Sequence, residues 1–136
     1  MFCREHAAQL RDNYEQLTSG GATVIAIGTG NAMYAKAFVT DERIPFMVLI
    51  DEDGDAADAA SVRGGAMMLL KLASPSVLKA GARARKAGHR QGKTGARSTQ
   101  LGATFVIKNN TVVYEHLDND VGDHAPMEQV LAALQK

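Results

Sequence analysis

A lone cysteine, Cys3, in 136 residues cannot close an intrachain disulfide, so the chain is not one of the disulfide-stapled secreted folds; a reducing compartment fits it, and a cytoplasmic location is expected. Long apolar runs are also missing. None approaches the roughly 18 residues of a membrane span, and the N-terminus has neither the charged head nor the apolar stretch of a secretory signal. Membrane partners are therefore not expected. Net charge is absent as well: fifteen basic and fifteen acidic residues cancel, which removes the whole-protein field that would draw nucleic acid or an anionic membrane. Acidic residues are locally absent from Arg63 to Lys108, a stretch with ten Lys or Arg and no Asp or Glu. No aromatic is interleaved with the basic residues from Lys79 to Arg97, which speaks against stacking on RNA bases. That loop is expected to be solvated and mobile, with an anion or RNA contact as its functional alternative.

What is present is ordinary for a soluble globular domain: 46% hydrophobic and 22% charged residues, enough for one core in a single domain over 1–136. Phe2, His6, Leu10, Tyr14 and Leu17 recur every three or four residues, with Arg4, Glu5, Gln9, Arg11, Asp12 and Glu15 mostly elsewhere on the wheel, so a helix with one buried face is expected. Ser19-Gly20-Gly21 ends it. Thr23 to Ile27 and Ile44 to Asp51 are apolar runs of the kind found in strands covered on both faces, with a helix from Ala32 to about Thr40 between them. Alanines 56–60 suggest a short helix, and Met67 to Leu72 a core patch. Ala103 to Ile107 and Thr111 to Glu115, joined by Asn109-Asn110, predict a hairpin whose turn residues tolerate positive φ. A closing helix carries Met127, Val130, Leu131 and Leu134.

Cys3 opens the first helix. A thiol there faces unpaired backbone N–H groups and the positive end of the helix dipole, which favours the thiolate, and Arg4 adds a fixed charge beside it; a lowered thiol pKa is expected. Packing of Cys3 as a small apolar residue against Phe2 is the alternative. Other motifs are weaker. Gly28-Thr29-Gly30 follows a strand and opens a helix, but Met33 holds the third position of a dinucleotide fingerprint, so a plain turn capped by Thr29 or Asn31 is favoured. The acidic run Asp51-Glu52-Asp53-Gly54-Asp55 lacks the glycine and glutamate spacing of a calcium loop and reads as a solvated turn. His116, Asp123 and His124 lack the spacing of a metal site; no metal or cofactor is expected.

The order helix, strand, helix, strand, short helices, hairpin, helix is that of a thioredoxin-like α/β domain without its first strand. Phe2-Cys3-Arg4-Glu5-His6-Ala7-Ala8 resembles the C-x-x-C-R-E-x-A start of the active-site helix in peroxiredoxin-like proteins of the alkyl hydroperoxide reductase/thiol-specific antioxidant superfamily. Gly88-His89-Arg90-Gln91-Gly92, Gln100 to Ile107, and Tyr114-Glu115-His116 followed by Gly122-Asp123 are similar to that group's loop, hairpin and final turn. The resemblance implies a three-layer α/β/α fold with a mixed sheet lacking its usual first central strand, and thiol-dependent reduction of a peroxide or disulfide. It implies Cys3 and Arg4 as catalytic residues. Cys3 matches the second cysteine of the motif; the first would fall just before Met1, so the chain is expected to be N-terminally incomplete, with turnover reduced or lost. An external thiol, thioredoxin- or glutathione-like, would then resolve the oxidised Cys3. The missing strand would leave two sheet edges facing each other, and a homodimer is expected to satisfy them. A non-catalytic interaction domain using the 79–97 loop and a nucleotide-binding half-domain on Gly28 and Gly30 are the alternatives.

Overall fold

Apolar spacing at the N-terminus produces two helices rather than one, α1 (Phe2–Asp12) and α2 (Tyr14–Thr18), in a computed structural model that describes residues 2–62, 64, 75–88 and 100–135. Asn13 separates them at φ −107 and ψ 11. Its side-chain amide donates to the Gln9 carbonyl at 2.8 Å, so a short polar side chain competes with the helical ladder and bends it. Leu17 is buried, and Leu10 and Tyr14 pack against the core. At the end of α2, Gly21 takes φ 84 and donates to the Thr18 carbonyl at 2.9 Å, a backbone state that glycine reaches without a Cβ clash.

The middle of the chain is a strand–helix–strand unit: β1 (Ile25–Gly28), α3 (Ala32–Glu42) and β2 (Met47–Ile50). Asn31 caps α3, its Oδ1 accepting from the Tyr34 N–H at 3.1 Å, and Arg43 closes the helix in the left-handed conformation at φ 52. The Gly28–Gly30 segment is thus a capped strand-to-helix turn. β1 and β2 are parallel, with Ile25 beside Met47 and Ile27 beside Leu49. These strands were expected to be covered on both faces. They are covered on one: Val24, Ala26, Phe46 and Val48 pack with Ala7, Leu10 and Phe38, whereas Ile25 (51%), Ile27 (55%), Met47 (57%) and Leu49 (45%) are exposed. Period-two alternation sends these two sets to opposite sides of the ribbon.

Asp51 is more than a solvated turn residue. Its Oδ1 accepts from the N–H groups of Gly54 and Ala56 at 3.1 and 3.2 Å, and its Oδ2 from that of Ala57 at 3.1 Å. It therefore ties the end of β2 to the first turn of α4 (Asp55–Ala59). Beyond it come α5 (Pro75–Lys86), β3 (Ala103–Lys108), β4 (Thr111–Leu117) and α6 (Met127–Leu134). Met67 to Leu72, and the basic loop beyond Gly88, lie outside the described residues. β3 and β4 form the expected hairpin, with Asn109 at φ 50 and Asn110 at φ 59 and a bulge where Val106 pairs with Tyr114 but Ile107 with Val112.

Among the described residues the strands form two separate two-stranded sheets, β1 with β2 and β3 with β4. Two apolar clusters follow the same division. One joins Leu17 to Val106, Ala125, Val130 and Ala133, and the other joins Ala7 to Ile44 and Phe46. Leu10 and Val24 touch both, so α1 and the approach to β1 hold the two halves together.

Candidate active site

The site is built around the N-terminal part of α1. Cys3 is a free, exposed thiol in the first turn of that helix. The expected acidity is reversed: its pKa is raised, chiefly by desolvation, with the carboxylate of Asp118 acting in the same direction. The exposed surface and the crowded surroundings of the sulfur pull against each other. Desolvation and the Asp118 carboxylate together outweigh the nearby positive charge and the backbone hydrogen bond that act to lower it.

Arg4, expected beside the thiol, is committed elsewhere. Its Nη1 donates to Glu42 Oε1 at 2.7 Å and its Nη2 to Asp41 Oδ2 at 3.3 Å, with the guanidinium 5.9 Å from the Phe38 ring centre. Those two carboxylates close α3, so Arg4 fastens the first turn of α1 to the last turn of α3. Glu5, placed by periodicity with the solvated positions, is buried. Arg83 of α5 explains it: Nε donates to Oε1 at 2.7 Å and Nη2 to Oε2 at 3.2 Å, a two-pronged pair that offsets the cost of burying a carboxylate.

One turn beyond Cys3, His6 stacks on His124, ring centres 4.8 Å apart and planes inclined by 27°. His6 is held near its neutral form, its pKa pushed down to about 4 first by burial and next by His124. The His124 Nδ1 lies 3.3 Å from Asp118 Oδ2, and His116 Nε2 lies 3.7 Å from Asp118 Oδ1, so one buried carboxylate faces two imidazoles. His116 is also 3.2 Å from Asp123. Asp123 has a lowered pKa: burial opposes this, but hydrogen bonds from the Asn119 backbone and side chain, together with His116, outweigh it. Gly102 makes the arrangement possible, since a Cβ there would lie 2.6 Å from Asp118 Oδ2.

His116, Asp123 and His124 do converge, yet each imidazole meets a carboxylate, and no group of three His, Cys, Asp or Glu among the described residues could hold a metal ion. Sequence reasoning missed His6 and Asp118. Neither belongs to a recognisable spacing, and the available signal, Gly102 preceding a strand, acquires meaning only when Asp118 is seen against it. Beside His124 a cleft of about 530 Å3 is lined by Gln9, Asn13, Arg83, Asp123 and Met127; Cys3 is not part of its wall.

A helix-mounted thiol on a scaffold of parallel strand–helix–strand plus antiparallel hairpin defines a thioredoxin-like α/β protein. The family model of the AhpC/TSA antioxidant enzymes matches residues 9–120, and the chain belongs to that family. The match begins after Cys3 and Arg4, so it does not itself assign their roles. The chain is also similar to the protein named peroxiredoxin Q, chloroplastic, of Triticum aestivum: 42% identical over 50 residues, which are 37% of this chain and 23% of that relative. The alignment thus spans about a quarter of the curated relative's length. No solved structure matches the chain. Among the described residues, no helix is long and apolar enough to cross a membrane.

Proposed function

We propose that this member of the AhpC/TSA family is a peroxiredoxin-like thiol oxidoreductase whose reacting group is Cys3. The observation that carries the proposal is the exposed thiol in the first turn of α1, in a chain with no other cysteine. The Cys3 sulfur attacks one peroxide oxygen, the S–O bond forms as the O–O bond breaks, and the thiol proton ends on the leaving oxygen. Cys3–SH and ROOH thus become Cys3–SOH and ROH. An external thiol of thioredoxin or glutathione type condenses with the sulfenic acid, releasing water, and a second thiol equivalent regenerates Cys3–SH as an external disulfide forms. A disulfide substrate is attacked at sulfur in the same way. Arg4 enters as a positioning residue that fixes the first turn of α1 on α3. The raised pKa of Cys3 favours the low-turnover form of this proposal, because little thiolate is present at neutral pH.

The test is peroxide consumption by the full chain with a thiol reductant, beside Cys3→Ser. Consumption that disappears in the variant supports the proposal; equal rates in the two proteins refute it. A cytoplasmic location is part of the proposal, since one unpaired thiol suits a reducing compartment; imaging the tagged chain decides between that and the compartment in the wheat relative's name. A homodimer is also proposed. The apolar face of Ile25, Ile27, Met47 and Leu49 is exposed, and the separate sheets offer strand edges that can pair with a second copy. Sedimentation over a wide concentration range checks it, and a monomer throughout rules it out.

A further inference from the structure

The cleft of about 530 Å3 beside His124 has no part in the chemistry above, and its wall carries fixed charges of both signs. A space of this order suits a small ligand. Arg83 supplies the cation. Its Nε and Nη2 donate to Glu5, its side chain is 54% exposed, and its Nη1 has no partner among the described residues. Pro126 and Met127 line the same space. Pro126 is the N-cap of α6 and gives that helix no side-chain cap, so a helix start, which favours an anion, borders the cleft. Asp123 supplies the negative charge. Its carboxylate accepts from Asn119 at 2.9 and 3.1 Å, lies 3.2 Å from His116, and is held ionised by these neighbours, with its side chain 30% exposed. Gln9 of α1 and Asn13 just beyond that helix add carboxamides to the wall; Asn13 spends its Nδ2 on the Gln9 carbonyl and keeps its Oδ1 uncommitted among the described residues.

We propose that this cleft binds a short peptide with free ends, its carboxylate toward Arg83 and the start of α6 and its ammonium toward Asp123. The mixed wall selects against simpler ligands. A plain anion would meet Asp123, and Glu128 in the first turn of α6; a plain cation would meet Arg83 and the helix start. A zwitterion offers each wall group the opposite charge, and hydrogen bonds between ionised partners are the strong ones. A peptide fits better than a single amino acid for two reasons. Its amide bond gives the Gln9 and Asn13 carboxamides a donor and an acceptor to pair with, and a second residue extends the span between the charged ends to about 7 Å. Met127 and Pro126 supply apolar wall for a side chain. Glu5 already offsets much of the Arg83 charge, so recognition rests on the direction of the Nη1 donors and the affinity is modest, in the millimolar range. Cys3 lies outside this wall, and the binding does not depend on its reactivity.

The experiment titrates the full chain at neutral pH with the dipeptide L-alanyl-L-leucine and follows N–H signals by NMR. Saturable shifts are expected at the side-chain amides of Gln9 and Asn13, the Nε–H of Arg83 and the backbone N–H of Met127. The N-acetylated dipeptide, which lacks the ammonium, and the C-terminal amide, which lacks the carboxylate, should each bind about tenfold more weakly, and free leucine more weakly than the dipeptide. Arg83→Lys keeps a charge for Glu5 but loses the planar fork, and should weaken the dipeptide about tenfold while binding the C-terminal amide as wild type does. The modified ligands are tested on the unaltered protein, so a variant that fails to fold leaves the test intact. No saturation in the millimolar range, shifts confined to residues away from the cleft, or equal affinity for the free and end-blocked dipeptides overturns the proposal; free leucine binding as tightly as the dipeptide overturns the choice of a peptide.

Discussion

Acidification of the folded chain is expected to reveal the buried His6 directly. Its pKa is lowered from 6.5 to about 4, first by burial and then by the neighbouring His124. Between those values the unfolded chain binds a proton that the folded chain refuses, so stability falls as pH falls. The contribution is intact above 6.5, is lost as pH drops through the window, and is gone near 4. A separation of about 2.5 units, from 6.5 less about 4, corresponds to about 3 kcal/mol at 1.36 kcal/mol per unit. Linkage places about 2 kcal/mol of that between pH 7 and pH 5. Against a total stability of roughly 5–15 kcal/mol for a domain, this is a large share. Asp123 is lowered from 3.8, so its stabilising effect is lost only below that value, outside the histidine window. Urea unfolding at fixed ionic strength from pH 7.5 to 4.5, in wild type and His6→Gln, is the assay. The wild type should lose stability steeply below pH 6.5 and the variant much less so. Because each slope is read within one protein, any overall destabilisation by the substitution does not matter. Equal slopes in both proteins would show that His6 is not a buried neutral group.

Three further outcomes follow from the same contacts. Gly102→Ala pushes a Cβ against Asp118 and should cost about 1–3 kcal/mol in urea unfolding, while raising the exchange rate of the His124 ring N–H seen by NMR; an unchanged protein would mean the carboxylate has room to move. Arg83→Ala removes the guanidinium from a buried Glu5, and since Arg83 itself is half-exposed the loss should be about 2 kcal/mol, below that of a fully buried pair; a melting temperature equal to wild type would contradict it. The rate of Cys3 alkylation plotted against pH should have its midpoint above 9.0, whereas a midpoint below that value would restore the acidity expected from the helix terminus.

The sequence by itself determined the local structure. Asn109-Asn110 specified the hairpin because their positive φ matches a tight turn, and Asn31 specified the start of α3 because its side chain can reach the Tyr34 N–H. Those effects act over a few residues, as does the spacing that puts Cys3 at the head of α1 and begins the resemblance to the AhpC/TSA proteins. Tertiary structure decided whatever depends on residues far apart in the chain. Glu5 is buried because Arg83 comes to it across 78 positions; Arg4 is paired with Asp41 and Glu42 because those residues end their helix beside it; and β1 and β2 keep an exposed apolar face, Ile25, Ile27, Met47 and Leu49, although their composition suits two covered ones. The thiol illustrates the difference most clearly. Helix polarity and a neighbouring arginine, both legible in the sequence, favour the thiolate, but the desolvation and the Asp118 charge that reverse its acidity come from segments no spacing rule connects to Cys3, because solvation is a property of the packed surroundings and not of the neighbouring residues.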